Sequence, residues 1–322
     1  MSFCLLCGSE DFTELFRASD RLYGTTTRQF GVVRCGGCGL ARLEPQPSPE
    51  ELRGYYPPAY WFAPGGQAAG RLEEAYRRLV LGDHVRFVEE ALRRAPPARG
   101  NRRPLLDVGC GGGLFLRLMS DRGFRGIGLD FSEDAARTAW RQQRAPALCG
   151  TLEKAPLRDG TFACITMFHV LEHLRDPRVF LIGAHRLLTP GGRLVAQTPN
   201  AGSWQARLLG RAWNGMDVPR HLFDFRDKDL EKLLASCGFE VVRRKYFSLR
   251  DNPAGLATSL APGLDPMARR VRKREEGGAG RLCRDLAYFA LVVAALPFAA
   301  AEAACRAGST IMIEARKVEG KP

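Results

Sequence analysis

The chain has 322 residues, 45% of them hydrophobic and 26% charged, with a formal net charge of +13. That length accommodates one large α/β domain plus a small module, and the composition excludes wholesale disorder. The positive balance admits an anionic partner or simply an arginine-rich solvated surface, because the arginines are scattered apart from RRVRKR at 269–274.

Residues 1–44 stand apart as a small β module. The opening MSFCLLCGSE has neither the basic leader nor the long apolar run of a signal peptide. Of the ten cysteines, six are dispersed, mostly in apolar strings, which fits a reducing cytoplasm better than a disulfide framework. The other four form two CxxCG turns, Cys4-Leu5-Leu6-Cys7-Gly8 and Cys35-Gly36-Gly37-Cys38-Gly39. Two such turns complete one tetrahedral zinc shell, and a shell of Cys4, Cys7, Cys35 and Cys38 leaves no open position, so the metal it implies is structural. The glycine after each second cysteine suits the left-handed backbone of such a turn. FTELFRA and QFGVVRC, between the pairs, read as short strands.

Residues 45–103 read as a linker and a helical lid. PQPSPEEL at 45–52 is a break, and YYPPAYWF at 55–62 is an aromatic strap or a substrate lip. Residues 71–95 have the pattern of an amphipathic helix, ended by RRAPPARGNRRP. From 104 to 250 strand and helix alternate: PLLDVG, FRGIGLD, APALCG, FACITMF, RLVAQTP and FEVVRRKYFSL as strands, with helices between them. The helix DPRVFLIGAHRLL has Asp176 as N-cap and Pro177 in its first turn, and DKDLEKLLASCG closes at Gly238. Such alternation implies a parallel sheet covered on both faces. Residues 251–308 form an insertion, and STIMIEARK, within 309–322, is a last strand. The insertion contains the uncharged run 286–301, LAYFALVVAALPFAAA, which is shorter than the roughly 20 residues of a spanning helix and is interrupted by Pro297. A buried helix, a dimer contact, or a helix resting on a membrane surface with 269–274 against anionic lipid are the three readings.

LLDVGCGGG follows the first strand of the large domain. Gly109, Gly111 and Gly113 let the backbone approach a ligand at a helix start, Asp107 lies on the strand end, and Asp130 ends the next strand, where a ribose-binding carboxylate is expected. A dinucleotide site would favour a small residue where Leu114 stands. D-x-G-x-G-x-G instead resembles motif I of the class I S-adenosylmethionine-dependent methyltransferases. GLDFSEDAA, GTLEKAPLRDGTFACITMFHVLEHL and RLLTPGGRLVAQTPN resemble that family's later motifs in order, over roughly 104–250 and the final strand. The resemblance implies an α/β, Rossmann-like seven-stranded sheet, mostly parallel with the last strand antiparallel, beside the small N-terminal zinc-binding module. It also implies S-adenosylmethionine contacts from Asp107, Gly109, Gly111, Gly113, Asp130, Phe131 and Phe168. The family often has Asp where Thr151 stands, which leaves the adenine contact to the backbone near Leu152 and to Glu153.

His169-Val170-Leu171-Glu172-His173 matches the H-x-x-E-H zinc signature of inverzincin proteases. That signature needs a helix, whereas the surrounding motifs put these residues at a strand end, beside the cofactor. Ubiquinone-pathway O-methyltransferases and small-RNA 2′-O-methyltransferases carry the similar E-x-x-E-H there. Glu172, His173 and the later His221 match the side chains that hold a divalent cation in the RNA enzymes, while His169 replaces the first Glu. The resemblance therefore implies metal-assisted O-methylation. The plainer reading is that Glu172 and His173 brace the loop while His169 or His221 acts as base. The segment GMDVPRHLFDF would bring Trp213, Arg220 and His221 over the pocket, with Arg220 free to grip a phosphate or carboxylate or else in an ordinary ion pair.

These features predict a methyltransferase using S-adenosyl-L-methionine, a structural zinc ion and a candidate second divalent metal. Its acceptor is a hydroxyl of a small molecule or glycan, since such a Cys4 module resembles those of surface-sugar and secondary-metabolite methyltransferases. An RNA methyltransferase gripping nucleic acid through the module is the rival enzyme, but residues 1–44 are nearly charge-balanced, so nucleic acid is not expected. A zinc-ribbon adaptor with an inactive cofactor fold is the non-enzymatic rival. The expected location is cytoplasmic, with peripheral membrane attachment or dimerisation through 286–301.

Overall fold

The computed structural model describes residues 3–57, 68–98, 100, 102–272 and 278–320. Residues 58–62 of the aromatic stretch and 273–274 of the basic run lie outside these. In chain order the strands are β1 (Phe12–Ala18), β2 (Phe30–Cys35), β3 (Ala41–Glu44), β4 (Leu105–Val108), β5 (Gly126–Asp130), β6 (Ala147–Cys149), β7 (Phe162–Phe168), β8 (Leu188–Pro199), β9 (Phe223–Asp224), β10 (Phe239–Lys245) and β11 (Thr310–Lys317). Seven of them form one sheet in the order β10-β11-β8-β7-β4-β5-β6. From β8 to β6 every pairing is parallel, and β11 runs antiparallel between β8 and β10. This is the Rossmann-like methyltransferase sheet expected above.

Side chains in the central strands alternate between two cores because successive residues of a strand point to opposite faces. Leu106, Ile165 and Leu194 enter one core; Leu105, Cys164 and Val195 enter the other. The helices that cover these faces follow the local signals. The helix α1 (Pro49–Gly54) opens at a capping box of Ser48 and Glu51. The long α2 (Ala68–Arg94) buries Val85, Val88 and Leu92 against α3 (Leu114–Ser120). The next, α4 (Glu133–Gln143), is capped by Ser132, and α5 (Pro177–Leu187) by Asp176 with Pro177 in its first turn. After α6 (Trp204–Leu209) and α7 (Asp227–Ser236), the insertion supplies α8 (Asn252–Leu260), α9 (Pro266–Val271) and α10 (Gly278–Ala304).

The structure differs from the sequence reading at α10. The helix spans 27 residues and continues through Pro297 to Ala304. The proline lies on the exposed side. The last turns are anchored from the buried side, where Glu302 Oε1 accepts from Gln205 Nε2 at 2.7 Å and from the Ser309 amide at 3.1 Å. By length and composition the helix could cross a bilayer, and only 22% of its apolar window is buried, unlike a core helix. Its outer stripe of Leu282, Leu286, Phe289 and Val293 is exposed, so simple burial does not describe it.

The four-stranded sheet has the order β1-β2-β3-β9. Its first three strands belong to the N-terminal module, but β9 comes from the large domain, pairing Asp224 with Ala41 and Phe223 with Arg42. The Leu43 amide donates to the Leu222 carbonyl at 3.0 Å, and Arg226 donates to the Cys38 carbonyl at 2.7 Å. Phe30, Leu40 and Leu43 share one apolar core with Leu181, Leu222 and Phe225. The module is thus built into the wall of the larger domain at the edge where the candidate site lies.

Candidate active site

The glycine loop joins β4 to α3. Gly109, Gly111 and Gly113 all have positive φ, at 75°, 51° and 76°. A Cβ on Gly109 would meet Val170 at 2.6 Å and one on Gly113 would meet Ala139 at 2.7 Å, whereas Gly111 faces open space. Gly111 is therefore where the backbone can face a ligand, while Gly113 starts α3 and lets it pack on α4. Both oxygens of Asp130 are held by backbone amides, Gly111 and Ser132, each at 2.9 Å. Each oxygen keeps a lone pair for a ribose hydroxyl. Asp107 is buried and accepts from Thr166 Oγ1 at 2.6 Å, and burial pushes its pKa up to about 7. Phe131 is 56% exposed at the strand end. Leu152 is buried in the core, which leaves its backbone for ligand contact, and Glu153 is exposed. The Phe168 ring is fixed edge-on between His84 and Phe115. An open backbone cradle, a two-oxygen acceptor and an exposed aromatic ring fit S-adenosylmethionine.

The second half of the site follows β7. His169 holds the left-handed φ of 54°, uncommon outside glycine and found at functional sites. Its Nδ1 lies 3.1 Å from Glu172 Oε1, and its Nε2 lies 2.8 Å from the Gln197 amide and 3.6 Å from Asp251. Burial opposes charge on this ring, but Asp251 and Glu172 outweigh it and raise its pKa to about 9. The same Gln197 Nε2 also donates to Asp251 at 2.8 Å. The raised pKa favours the charged ring, and the contact with Glu172 Oε1 lets His169 orient that carboxylate.

Glu172 is buried, and its Oε2 has no hydrogen-bond partner. One oxygen of Glu172 and one ring nitrogen each of His173 and His221 lie within 4.8 Å of one another. His173 Nδ1 sits 3.1 Å from the Arg220 carbonyl and 2.9 Å from the Tyr56 hydroxyl. His221 Nδ1 sits 2.8 Å from the Gly215 carbonyl. Donation from Nδ1 to these carbonyls leaves both Nε2 lone pairs free, the arrangement that outer-shell carbonyls impose on metal-binding histidines. Burial and His221 hold the His173 pKa down at about 4, so its ring is neutral. A buried carboxylate with one unpartnered oxygen, clustered with two imidazoles, fits a divalent cation with open positions.

Arg220 does not reach a ligand. It is fully buried, bound to Asp20 at 2.9 and 3.0 Å and to Asp217 at 2.9 and 2.6 Å, and covered by the Tyr23 ring. It ties the module, through Asp20, to the loop that carries His221. Trp213 is likewise buried beneath that loop. As individual site residues, Tyr56, His84, Gln197, Asp224 and Asp251 were not foreseen, although Tyr56 lies in the aromatic stretch read as a strap or substrate lip. Asp224 ends β9 with an unpartnered oxygen, and burial beside Glu172 raises its pKa to about 7. No local motif marks any of the five.

At the far end of the module, Cys4 and Cys38 sulfurs lie 3.5 Å apart, as do those of Cys7 and Cys35, and all four fall within 4.8 Å. Zn–S bonds of about 2.3 Å in a tetrahedron give S···S edges of about 3.8 Å. Gly8 and Gly39 take the expected left-handed φ, at 73° and 78°. Burial opposes charge on Cys35, but hydrogen bonds from the Cys38 and Gly37 amides and from neighbouring thiols lower its pKa to about 6. The cluster fits a zinc-ribbon-like module.

Residues 76–244, just over half of the chain, match a family model described as a methyltransferase domain. A probable S-adenosylmethionine-dependent methyltransferase of Mycolicibacterium smegmatis is 34% identical over 143 residues, 43% of this chain and 52% of the relative. A ubiquinone biosynthesis O-methyltransferase of Pseudomonas paraeruginosa is 31% identical over 175 residues, 51% of this chain and 75% of the relative. The chain thus spans about half the length of the first relative and three quarters of the second. Among solved structures, a SAM dependent methyltransferase from Archaeoglobus fulgidus has a TM-score of 0.48 at 20% identity, covering 78% of this chain and 100% of that one. The chain belongs to the S-adenosylmethionine-dependent methyltransferases.

Proposed function

We propose that this chain transfers the methyl group of S-adenosylmethionine to a hydroxyl of a small-molecule or glycan acceptor. The observation that carries this reading is the buried Glu172, one of whose oxygens has no partner, gathered with His173 and His221 so that one ligand atom of each lies within 4.8 Å of the others. It lies at the carboxyl ends of the strands, where ligands of such sheets bind. The acceptor oxygen attacks the sulfonium methyl in line. The carbon–sulfur bond breaks as the carbon–oxygen bond forms, S-adenosylhomocysteine leaves, and the hydroxyl proton passes to the Glu172–His173–His221 group. His169, held by Asp251 and Gln197, keeps Glu172 oriented, while Tyr56 closes over His173 and Phe131. Where a divalent cation is held by Glu172, His173 and His221, their lone pairs would be taken up by it, and the cation would instead lower the pKa of the acceptor hydroxyl so that its proton leaves to water. The O-methyltransferase relatives support oxygen as the target.

Cys4, Cys7, Cys35 and Cys38 hold a structural zinc ion. Its role is to brace β3 and, through the β3–β9 pairing, the floor of the acceptor centre. The apolar outer stripe of α10, with Arg281 and Arg284 in its first turns, supports peripheral attachment to an anionic membrane surface. The deciding experiment is transfer of tritiated methyl from S-adenosylmethionine into fractionated cell metabolites, with metal content measured in parallel. If the full chain binds the cofactor but labels no polar or lipid-linked fraction, the reading fails. If the chain stripped of its non-cysteine metal keeps full activity, the catalytic cation is excluded.

A further inference from the structure

A cavity of about 490 Å³ opens where the N-terminal module meets residues 211–218 and α8. Its size lies within the roughly 300–1,000 Å³ of small-molecule sites. Three arginines line it, Arg17, Arg21 and Arg211, and Asp217 is its single acid. Asp217 is already engaged by Arg220 at 2.6 and 2.9 Å. Among the described residues, Arg17 and Arg211 have no acidic partner, and Arg21 is oriented by donating to the Ala212 and Ser259 carbonyls. Three arginines without compensating charge, lining a partly apolar hollow, make a site for an anionic group on a small organic body.

One backbone segment serves both the cavity and the acceptor centre. Asn214 and Met216 line it, and the carbonyl of Gly215 between them holds the His221 ring. We propose that this cavity binds a phosphate group, single or double, carried by the methyl acceptor, and so orients the acceptor hydroxyl toward Glu172, His173 and His221. This rests on the reading of that cluster as the acceptor centre. It gives the substrate class: a phosphorylated alcohol, whether water-soluble or lipid-linked.

The test uses the full chain and phenyl phosphate as probe, by titration calorimetry, with benzyl alcohol as the neutral control. Phenyl phosphate should bind with a submillimolar dissociation constant and benzyl alcohol should not. The double variant Arg17→Ala/Arg211→Ala should weaken phenyl phosphate binding at least tenfold while S-adenosylmethionine binding stays unchanged, which reports an intact fold. The Glu172→Gln chain should bind phenyl phosphate as the unaltered chain does. Loss of transfer with retained probe binding therefore separates failure of the acceptor centre from failure of the cavity. Labelled methyl should enter a phosphatase-sensitive product, partitioning into water for a soluble acceptor or into butanol for a lipid-linked one, with KM raised in the double variant. Absence of probe binding, equal binding by the double variant, or a labelled product indifferent to prior phosphatase treatment of the acceptor fraction would each overturn the inference.

Discussion

The two halves of the site are built in opposite ways. Most of the cofactor crevice comes from one stretch of chain, residues 105–131, with Leu152, Glu153 and Phe168 added from later segments, and its chief contacts are backbone amides, an open glycine and one carboxylate at a strand end. The acceptor centre gathers Tyr56, Glu172, His173, Gln197, His221 and Asp251 from separate segments, and it is braced by a module that contributes none of the three metal-type ligands. The first can survive damage to the second. The reverse coupling runs through Arg220 and β9, which tie His221 and Glu172 to residues 20 and 41–44.

Four experiments can break or sharpen that contrast. The largest effect should come from Arg220→Ala, which leaves Asp20 and Asp217 buried without their cation. Urea unfolding should show a loss of about 3–5 kcal/mol, and a loss below about 1 kcal/mol would mean the Arg220 ion pairs are not structural. Glu172→Gln should cut methyl transfer at least about a hundredfold while leaving the calorimetric affinity for S-adenosylmethionine within about threefold. Equal losses in both would show that the two halves are one unit.

The third prediction concerns acid. Burial opposes the charge of Asp20, but Arg220 outweighs it and lowers the pKa to about 2. The folded value lies below the unfolded one, so this contribution is present above about pH 4 and is lost as pH falls through about 2. It should amount to about 2 kcal/mol, and Asp20→Asn should flatten the stability profile between pH 4 and 2. If the profile of the variant falls as steeply as that of the unaltered chain, the ion pair is not what acid removes. The smallest effect belongs to the crevice: Asp130→Ala should weaken S-adenosylmethionine about tenfold, or about 1.4 kcal/mol, by calorimetry. An unchanged dissociation constant would displace the ribose from that carboxylate.

The same contrast explains what was legible in the sequence. The strand and helix pattern, the caps at Ser132, Asp176 and Pro177, and the left-handed glycines at 8, 39, 109, 111 and 113 are local, so spacing and residue type announce them. Two strands escaped notice, β3 and the two-residue β9, because each is short and is held by a partner remote in sequence. Arg220 could be weighed only as surface pair or ligand grip, since burial depends on Asp20, which lies 200 residues away. The helix α10 ran past Pro297 because Gln205 and Ser309 anchor Glu302 beyond it.

By itself, the sequence determined the sheet, the cofactor loop and the four-cysteine cluster, since each depends on periodicity or on donors a few residues apart. Only the tertiary structure decided which histidine has its pKa raised and which has it lowered, which carboxylate oxygen stands unpartnered, and that the cysteine module packs beside the candidate site. Those properties are set by burial and by the electric field of residues far away in the chain, and no local pattern encodes them.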